Sequence, residues 1–204
     1  MAQLHRFPKL FSMNAGKVIG ILGGSFNPAH EGHVHIADMA VEALGLDEVW
    51  WMVSPQNPLK SKSGMASFDV RLASALEMAA RCKASEVMKV STLERDLGLQ
   101  LTHQTLKMLR QRMRYGKLVW IMGGDNLVHF HQWNRPDVIT KNTAIAVVNR
   151  PGSRHLRSSP GARKAGKSLT PRVMRARRFP VKHWCYIQGK QNTQSATKIR
   201  SLAV

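Results

Sequence analysis

The chain has 204 residues, 43% of them hydrophobic, with 31 Lys/Arg against 12 Asp/Glu and a net charge of +19. That apolar content excludes a disordered chain and suffices for one sizeable domain with a core. No stretch approaches the ~20 apolar residues that cross a bilayer. The two cysteines, Cys82 and Cys185, are too far apart for metal-ligand spacing and make no disulfide framework. Residues 1–16 carry no apolar run of signal-peptide length and read as a frayed N-terminal extension. The expectation is a soluble, cytoplasmic protein.

The charge is unevenly spread. Residues 1–137 hold 16 Lys/Arg against 12 Asp/Glu, a net +4, whereas residues 138–204 hold 15 Lys/Arg and no acid, a net +15. Such an excess suits an anionic ligand or nucleic acid. A solvated basic surface is the plainer account of it.

The first regular element is the apolar run Val18-Ile19-Gly20-Ile21-Leu22, a short buried strand. It leads into Gly23-Gly24-Ser25-Phe26-Asn27-Pro28-Ala29-His30-Glu31-Gly32-His33 and then into helical spacing, with Val34, Ala37, Val41 and Leu44 on one face. A glycine-rich turn between strand and helix exposes backbone N–H groups beside the positive end of a helix dipole, a geometry that favours phosphate. His30 and His33, three apart at the helix start, can face one bound anion.

Residues 48–53 form a second buried strand, followed by a long Pro-, Ser- and Lys-rich loop over 55–64. A helix over 68–82 follows, with Ser67 or Asp69 as its cap. A short third strand covers 87–90, and residues 93–99 connect it to a helix over 102–115 that turns Leu106, Leu109 and Met113 inward. A fourth strand, 118–122, runs into a second glycine turn, Gly123-Gly124-Asp125-Asn126. A fifth spans 144–148 and a sixth 184–187. Residues 153–180 form a basic insertion, expected as a short helix or two joined by mobile loop. Alternating strands and helices without a domain boundary imply an α/β fold with a parallel sheet, helices on both faces, and ligands beyond the C-terminal strand ends.

The glycine turn lacks the Gly-Lys-Ser/Thr of a Walker loop and is not G-x-G-x-x-G. Instead it resembles G-G-x-F-x-P-x-H-x-G-H, the signature of the nucleotidylyltransferase superfamily. Near the other end, Ser195-Ala196-Thr197-Lys198-Ile199-Arg200 resembles that superfamily's second signature, I-S-S-T-x-[IVL]-R. Between them, Ser54-Pro55-Gln56-Asn57-Pro58-Leu59-Lys60, Thr102-His103-Gln104-Thr105-Leu106, Met122-Gly123-Gly124-Asp125-Asn126-Leu127, Trp133 and Val148-Asn149-Arg150-Pro151-Gly152 are similar to motifs of bacterial nicotinate-nucleotide adenylyltransferases. Three positions depart from that pattern. Asn27 stands where many relatives have Asp, Leu101 where they have Tyr, and Leu59 where they have His.

The resemblance implies a single-domain, Rossmann-like doubly wound parallel sheet of the nucleotidylyltransferase (HUP) type over 17–204. It implies adenylyl transfer from ATP to nicotinate mononucleotide, giving deamido-NAD and pyrophosphate in NAD biosynthesis. Gly23, Gly24, Ser25 and Phe26 would present backbone to ATP, and His30 and His33 would stabilise its phosphates. Asp125 would bind ribose hydroxyls, and Ser195, Thr197 and Arg200 would hold the ATP phosphates. Asn57 and Thr102 would lie near the nicotinate nucleotide, with Trp133 stacked on its ring. Mg²⁺ would ride on the ATP phosphates, since the motifs offer no carboxylate cluster to hold it and no protein metal site. Two other acceptors, nicotinamide mononucleotide and phosphopantetheine, fit the same nucleotide end. A basic nucleic-acid-binding protein is the alternative of another class, without a recognised module to support it.

Overall fold

The computed structural model describes residues 3–5, 16–55, 64–113, 115–150, 156–189, 192, 194 and 199. Eight strands form one sheet: β1 (Gln3–His5), β2 (Val18–Gly24), β3 (Glu48–Val53), β4 (Met88–Ser91), β5 (Lys117–Gly123), β6 (Ala144–Val148), β7 (Lys167–Leu169) and β8 (His183–Ile187). Their order across the sheet is β1-β4-β3-β2-β5-β6-β8-β7. Every neighbouring pair is parallel.

The helices are α1 (Glu31–Leu44), α2 (Phe68–Ala80), α3 (Leu93–Asp96), α4 (Thr102–Arg112), α5 (Gly124–His129), α6 (Pro136–Asn142), α7 (Pro160–Ala165) and α8 (Pro171–Ala176). Side chains alternate across the pleat, so each central strand feeds two cores. Val49, Trp51 and Val53 join α1, α2 and α8 on one face. Trp50 and Met52 join α4, α5, α6 and α7 on the other. The adjacent Trp50 and Trp51 are thus both fully buried, on opposite sides of the sheet.

The order of strands sets the site. From β2 the chain builds outward through β3 and β4, then returns to place β5 on the other side of β2. Such a reversal opens a crevice at the C-terminal strand ends, where doubly wound sheets bind ligands. The loop after β2 and the start of α5 flank it.

One expectation needs correction. Part of the supposed N-terminal extension is a strand, since Gln3–His5 pairs with Lys89, Val90 and Ser91 of β4. In the described part of the basic insertion, 156–180, the expected short helices are present as α7 and α8, and apolar side chains anchor them. Leu156, Ala162 and Ala165 join one core and Met174 and Phe179 the other, with β7 as an edge strand between them. The cations of 156–180 are exposed, so their charge hid a small number of deeply buried anchors. Ser159 and Thr170 cap α7 and α8.

Candidate active site

Gly23 and Gly24 close β2, pairing with Met52 and Val53, instead of forming the turn itself. A Cβ at Gly23 would overlap the Trp120 indole. The turn proper is Ser25 to Ala29. Phe26 takes a left-handed φ of 47° and is buried, stacked on Trp51 at 5.4 Å and edge-on to His33 at 4.9 Å. Asn27 fastens the turn to the segment before α2. Its amide donates to the Gly64 carbonyl (2.8 Å), and its oxygen accepts from Ala66 N–H (3.1 Å). An Asp at this position could not donate the first of these bonds.

His30 and His33 form a reciprocal cap on α1. His30 Nδ1 accepts from Gly32 N–H (3.1 Å) and His33 Nδ1 from His30 N–H (3.2 Å). The rings lie 3.9 Å apart. With both Nδ1 atoms accepting, each neutral ring carries its proton on Nε2 and can donate from there. Burial, and secondly the charge of Arg150, pushes the His30 imidazole down to about 4, so it is neutral at physiological pH. Gly32 is required at this place, because a Cβ would stand 2.8 Å from the His30 ring and 3.0 Å from the Gln194 carbonyl.

Arg150, two residues beyond β6, closes the crevice on the other side. Its Nη2 donates to the Gln194 carbonyl (2.6 Å), and its Nη1 lies 3.9 Å from Asp125 Oδ2. Asp125 is half exposed in the first turn of α5. The backbone at Gln194, just before the second signature, therefore lies against both Gly32 and Arg150. Sequence reasoning assigned Arg150 no role. Its place just past a strand end, inside the Val148-to-Gly152 motif, was the available signal.

On the acceptor side, Thr102 opens α4, with no side-chain cap at Leu101. Trp133 is partly buried, edge-on to Trp120 (6.2 Å) and tilted against Phe130 (5.5 Å). Nearby, the buried Glu94 accepts from Thr105 Oγ1 (2.8 Å) and is hydrogen-bonded by the Ser54 side chain. Burial pushes its carboxyl up to about 7, against the pull of those two bonds. Arg71 is also buried, with its guanidinium on main-chain carbonyls. Neither residue was singled out from sequence.

The structure brings together Gly23, Gly24, Ser25, Phe26, His30, His33 and Asp125 at the C-terminal strand ends, with Thr102 and Trp133 on the face that holds α4 and α5. Asn57, Ser195, Thr197 and Arg200 lie outside the described residues. Among the described residues, no three His, Cys, Asp or Glu side chains gather where they could hold a metal ion. None of the described helices is long and apolar enough to cross a membrane.

The cytidylyltransferase-like family matches residues 21–202. A protein of Parvibaculum lavamentivorans named "Probable nicotinate-nucleotide adenylyltransferase" is 45% identical over 192 residues, covering 92% of this chain and 93% of its own. One of the same name from Agrobacterium fabrum is 38% identical over 189 residues, covering 90% and 98%. Among solved structures, the nicotinic acid mononucleotide adenylyltransferase of Plasmodium falciparum, complexed with APC, superposes with a TM-score of 0.69. It is 17% identical and covers 91% of this chain and 83% of its own, a likeness that speaks to the fold alone. With the sheet, the paired histidines and these relatives in agreement, the chain belongs to the cytidylyltransferase-like family and, within it, to the nicotinate-nucleotide adenylyltransferases.

Proposed function

We propose that this protein transfers the adenylyl group of ATP to nicotinate mononucleotide, giving deamido-NAD and pyrophosphate, a step of NAD biosynthesis. The observation that carries the reading is the meeting of chain ends at the crevice. The Gln194 carbonyl lies against Gly32, between the paired histidines, and is held by Arg150. The Ser195-to-Arg200 motif follows Gln194 directly in the sequence. The names of the relatives supply the acceptor. A Plasmodium falciparum structure described as a complex with NaAD is consistent with it.

The reaction is an in-line displacement. A phosphate oxygen of the mononucleotide, already an anion, attacks the α-phosphorus of ATP. A new P–O bond forms and the bond to pyrophosphate breaks, so no general base is needed. Catalysis is alignment of two anions and stabilisation of charge. His30, neutral at physiological pH, and His33 donate from Nε2 to the phosphates, and Arg200 grips the leaving group bidentately. Backbone at Gly23, Gly24, Ser25 and Phe26, with Ser195 and Thr197, cradles ATP. Asp125 accepts from ribose hydroxyls, and Arg150 beside it keeps that corner electrically balanced. Asn57, Thr102 and Trp133 receive the pyridine nucleotide. Mg²⁺ would come on the ATP phosphates rather than on protein side chains, and would offset their negative charge.

The cytoplasm is the compartment that fits. Cys82 and Cys185 are free and buried, and burial pushes both thiols up to about 12. Pyrophosphate release from ATP tests the function, with nicotinate mononucleotide, nicotinamide mononucleotide or phosphopantetheine as acceptor. Release should be fastest with the nicotinate compound. A faster rate with either of the others overturns the acceptor, and release with none overturns the reaction.

A further inference from the structure

We propose that Arg71 is a positioning residue that ties the ATP loop to the segment leading into the pyridine-nucleotide loop, so that binding of one substrate favours binding of the other. The proposal rests on the adenylyl-transfer reading for the identity of the two ligands. Its structural part stands on this chain alone.

Arg71 lies on α2 and is 2% exposed. Its Nη1 donates to the carbonyls of Ser25 and Ser54, each at 2.7 Å. Its Nη2 donates to the Pro55 carbonyl at 2.8 Å and its Nε to Ala66 at 3.2 Å. Those carbonyls belong to three separate stretches: the turn after β2, the end of β3, and the approach to α2. All four acceptors are main-chain oxygens, and none of the ion pairs among the described residues includes Arg71. Burying a guanidinium without a carboxylate is expensive, and an apolar residue would serve mere packing better. Four of the five donors of a rigid fork are what the place uses.

The tie is reinforced through Ser54. Its N–H donates to the Gly24 carbonyl (3.0 Å), joining the same two strand ends directly. From the opposite face of the sheet, its side chain bonds Glu94, which in turn receives Thr105 of α4. Thr102 begins that helix. One serine at the end of β3 therefore meets the phosphate turn, the Arg71 fork and the anchor of α4. A ligand that orders the turn at Ser25 fixes Ser54 and Pro55 through two hydrogen bonds of one side chain. The second ligand then has less to order, which is positive coupling.

The test uses the full chain and Arg71→Lys, which keeps the charge and loses the fork. Affinity for a non-hydrolysable ATP analogue is measured with and without saturating nicotinate mononucleotide. The wild type should bind the analogue several-fold more tightly with the mononucleotide present. In R71K that gain should vanish, and the Michaelis constants for both substrates should rise about tenfold, with a smaller change in kcat. A folded R71K that keeps the wild-type gain, or loses affinity for one substrate only, overturns the proposal. Amide exchange of the ligand-free proteins supplies a readout independent of function. R71K should exchange faster at residues 25–26 and at 53–54 together. Faster exchange confined to α2 refutes the tie. If R71K does not fold, the wild type decides: the analogue alone should slow exchange at 53–54, and no slowing there despite binding overturns the coupling. A wild type that binds the analogue but makes no product with nicotinate mononucleotide sinks the adenylyl-transfer reading instead.

Discussion

His30 and His33 fix each other at the start of α1: His30 accepts from the backbone between them, and His33 accepts from the backbone of His30. The cap occupies both Nδ1 atoms and leaves Nε2 as the donor on each ring. One arrangement therefore ends the helix properly and orients two phosphate donors. His33→Ala should lower kcat roughly 100-fold, about 3 kcal/mol for one donor to the transition state. The Michaelis constant for ATP should change much less. Losing the cap should also cost about 1 kcal/mol of stability. Steady-state kinetics and a thermal melt separate the two, and unchanged turnover would remove His33 from the chemistry.

The glycine inside this pair gives a second prediction. A Cβ at Gly32 would press on the His30 ring and the Gln194 carbonyl. Gly32→Ala should therefore cost roughly 2 kcal/mol of stability and lower turnover at least as much as His33→Ala, because the ring must rotate off its cap. Gly161→Ala is the control. Its Cβ would overlap the Leu127 carbonyl, where α7 packs on α5. Backbone cannot yield as a side chain can, so the loss should be about 3 kcal/mol. Below the melting transition, G161A should keep the wild-type Michaelis constant for ATP. Equal kinetic damage from both variants would mean that Gly32 acts through stability alone.

His30 and Glu94 oppose each other in the pH dependence of folding. Glu94 rises from an ordinary 4.5 to about 7, so the folded state binds its proton more tightly. Its contribution is complete below about pH 4.5 and is lost as pH climbs through 7, at most about 3 kcal/mol. His30 falls from 6.5 to about 4, so the unfolded state takes its proton first. Stability through His30 is complete above about pH 6.5 and declines as pH falls toward 4. The two slopes largely cancel between pH 4.5 and 6.5. Glu94→Gln should unmask the histidine, giving stability that rises with pH across that range. His30→Asn should unmask the glutamate, giving the reverse. Denaturant titrations at several pH values read both slopes, and a Glu94→Gln slope equal to the wild type would place the Glu94 carboxyl in its ordinary range.

What could be read in advance follows the range of each interaction. The opening motif was legible because its chemistry is local. A strand, two glycines and two histidines three apart specify a turn and a cap within about a dozen residues. The alternation that sends Trp50 and Trp51 to opposite faces is local as well, and so the α/β class was legible. Arg71 was not, because its partners are carbonyls that any residue could supply, at positions 5 to 46 residues away. Glu94 sat in a stretch with no clear period, and its partners Ser54 and Thr105 are ordinary polar residues. The strand β7 escaped because three residues at a sheet edge, two of them exposed, carry no hydrophobic pattern. The N-terminal strand escaped for a similar reason, since it is three residues at a sheet edge, and its one partner among the described residues, β4, is itself four residues long.

Trp133 tests the acceptor end. Its ring meets Trp120 in a T-shaped contact and Phe130 at a tilt, and it packs against the core without being fully buried. A ring so braced offers a preformed apolar surface for a flat heterocycle at little entropic cost. Trp133→Ala should raise the Michaelis constant for nicotinate mononucleotide roughly tenfold, the equivalent of about 1.4 kcal/mol of stacking. The constant for ATP should stay within about twofold. Trp133→Phe, which keeps a smaller face, should recover most of the loss, whereas Trp133→Leu, apolar but not flat, should not. If leucine restores binding as well as phenylalanine, the indole acts as core packing and the pyridine ring stacks elsewhere. An effect confined to ATP would move Trp133 to the nucleotide side of the crevice.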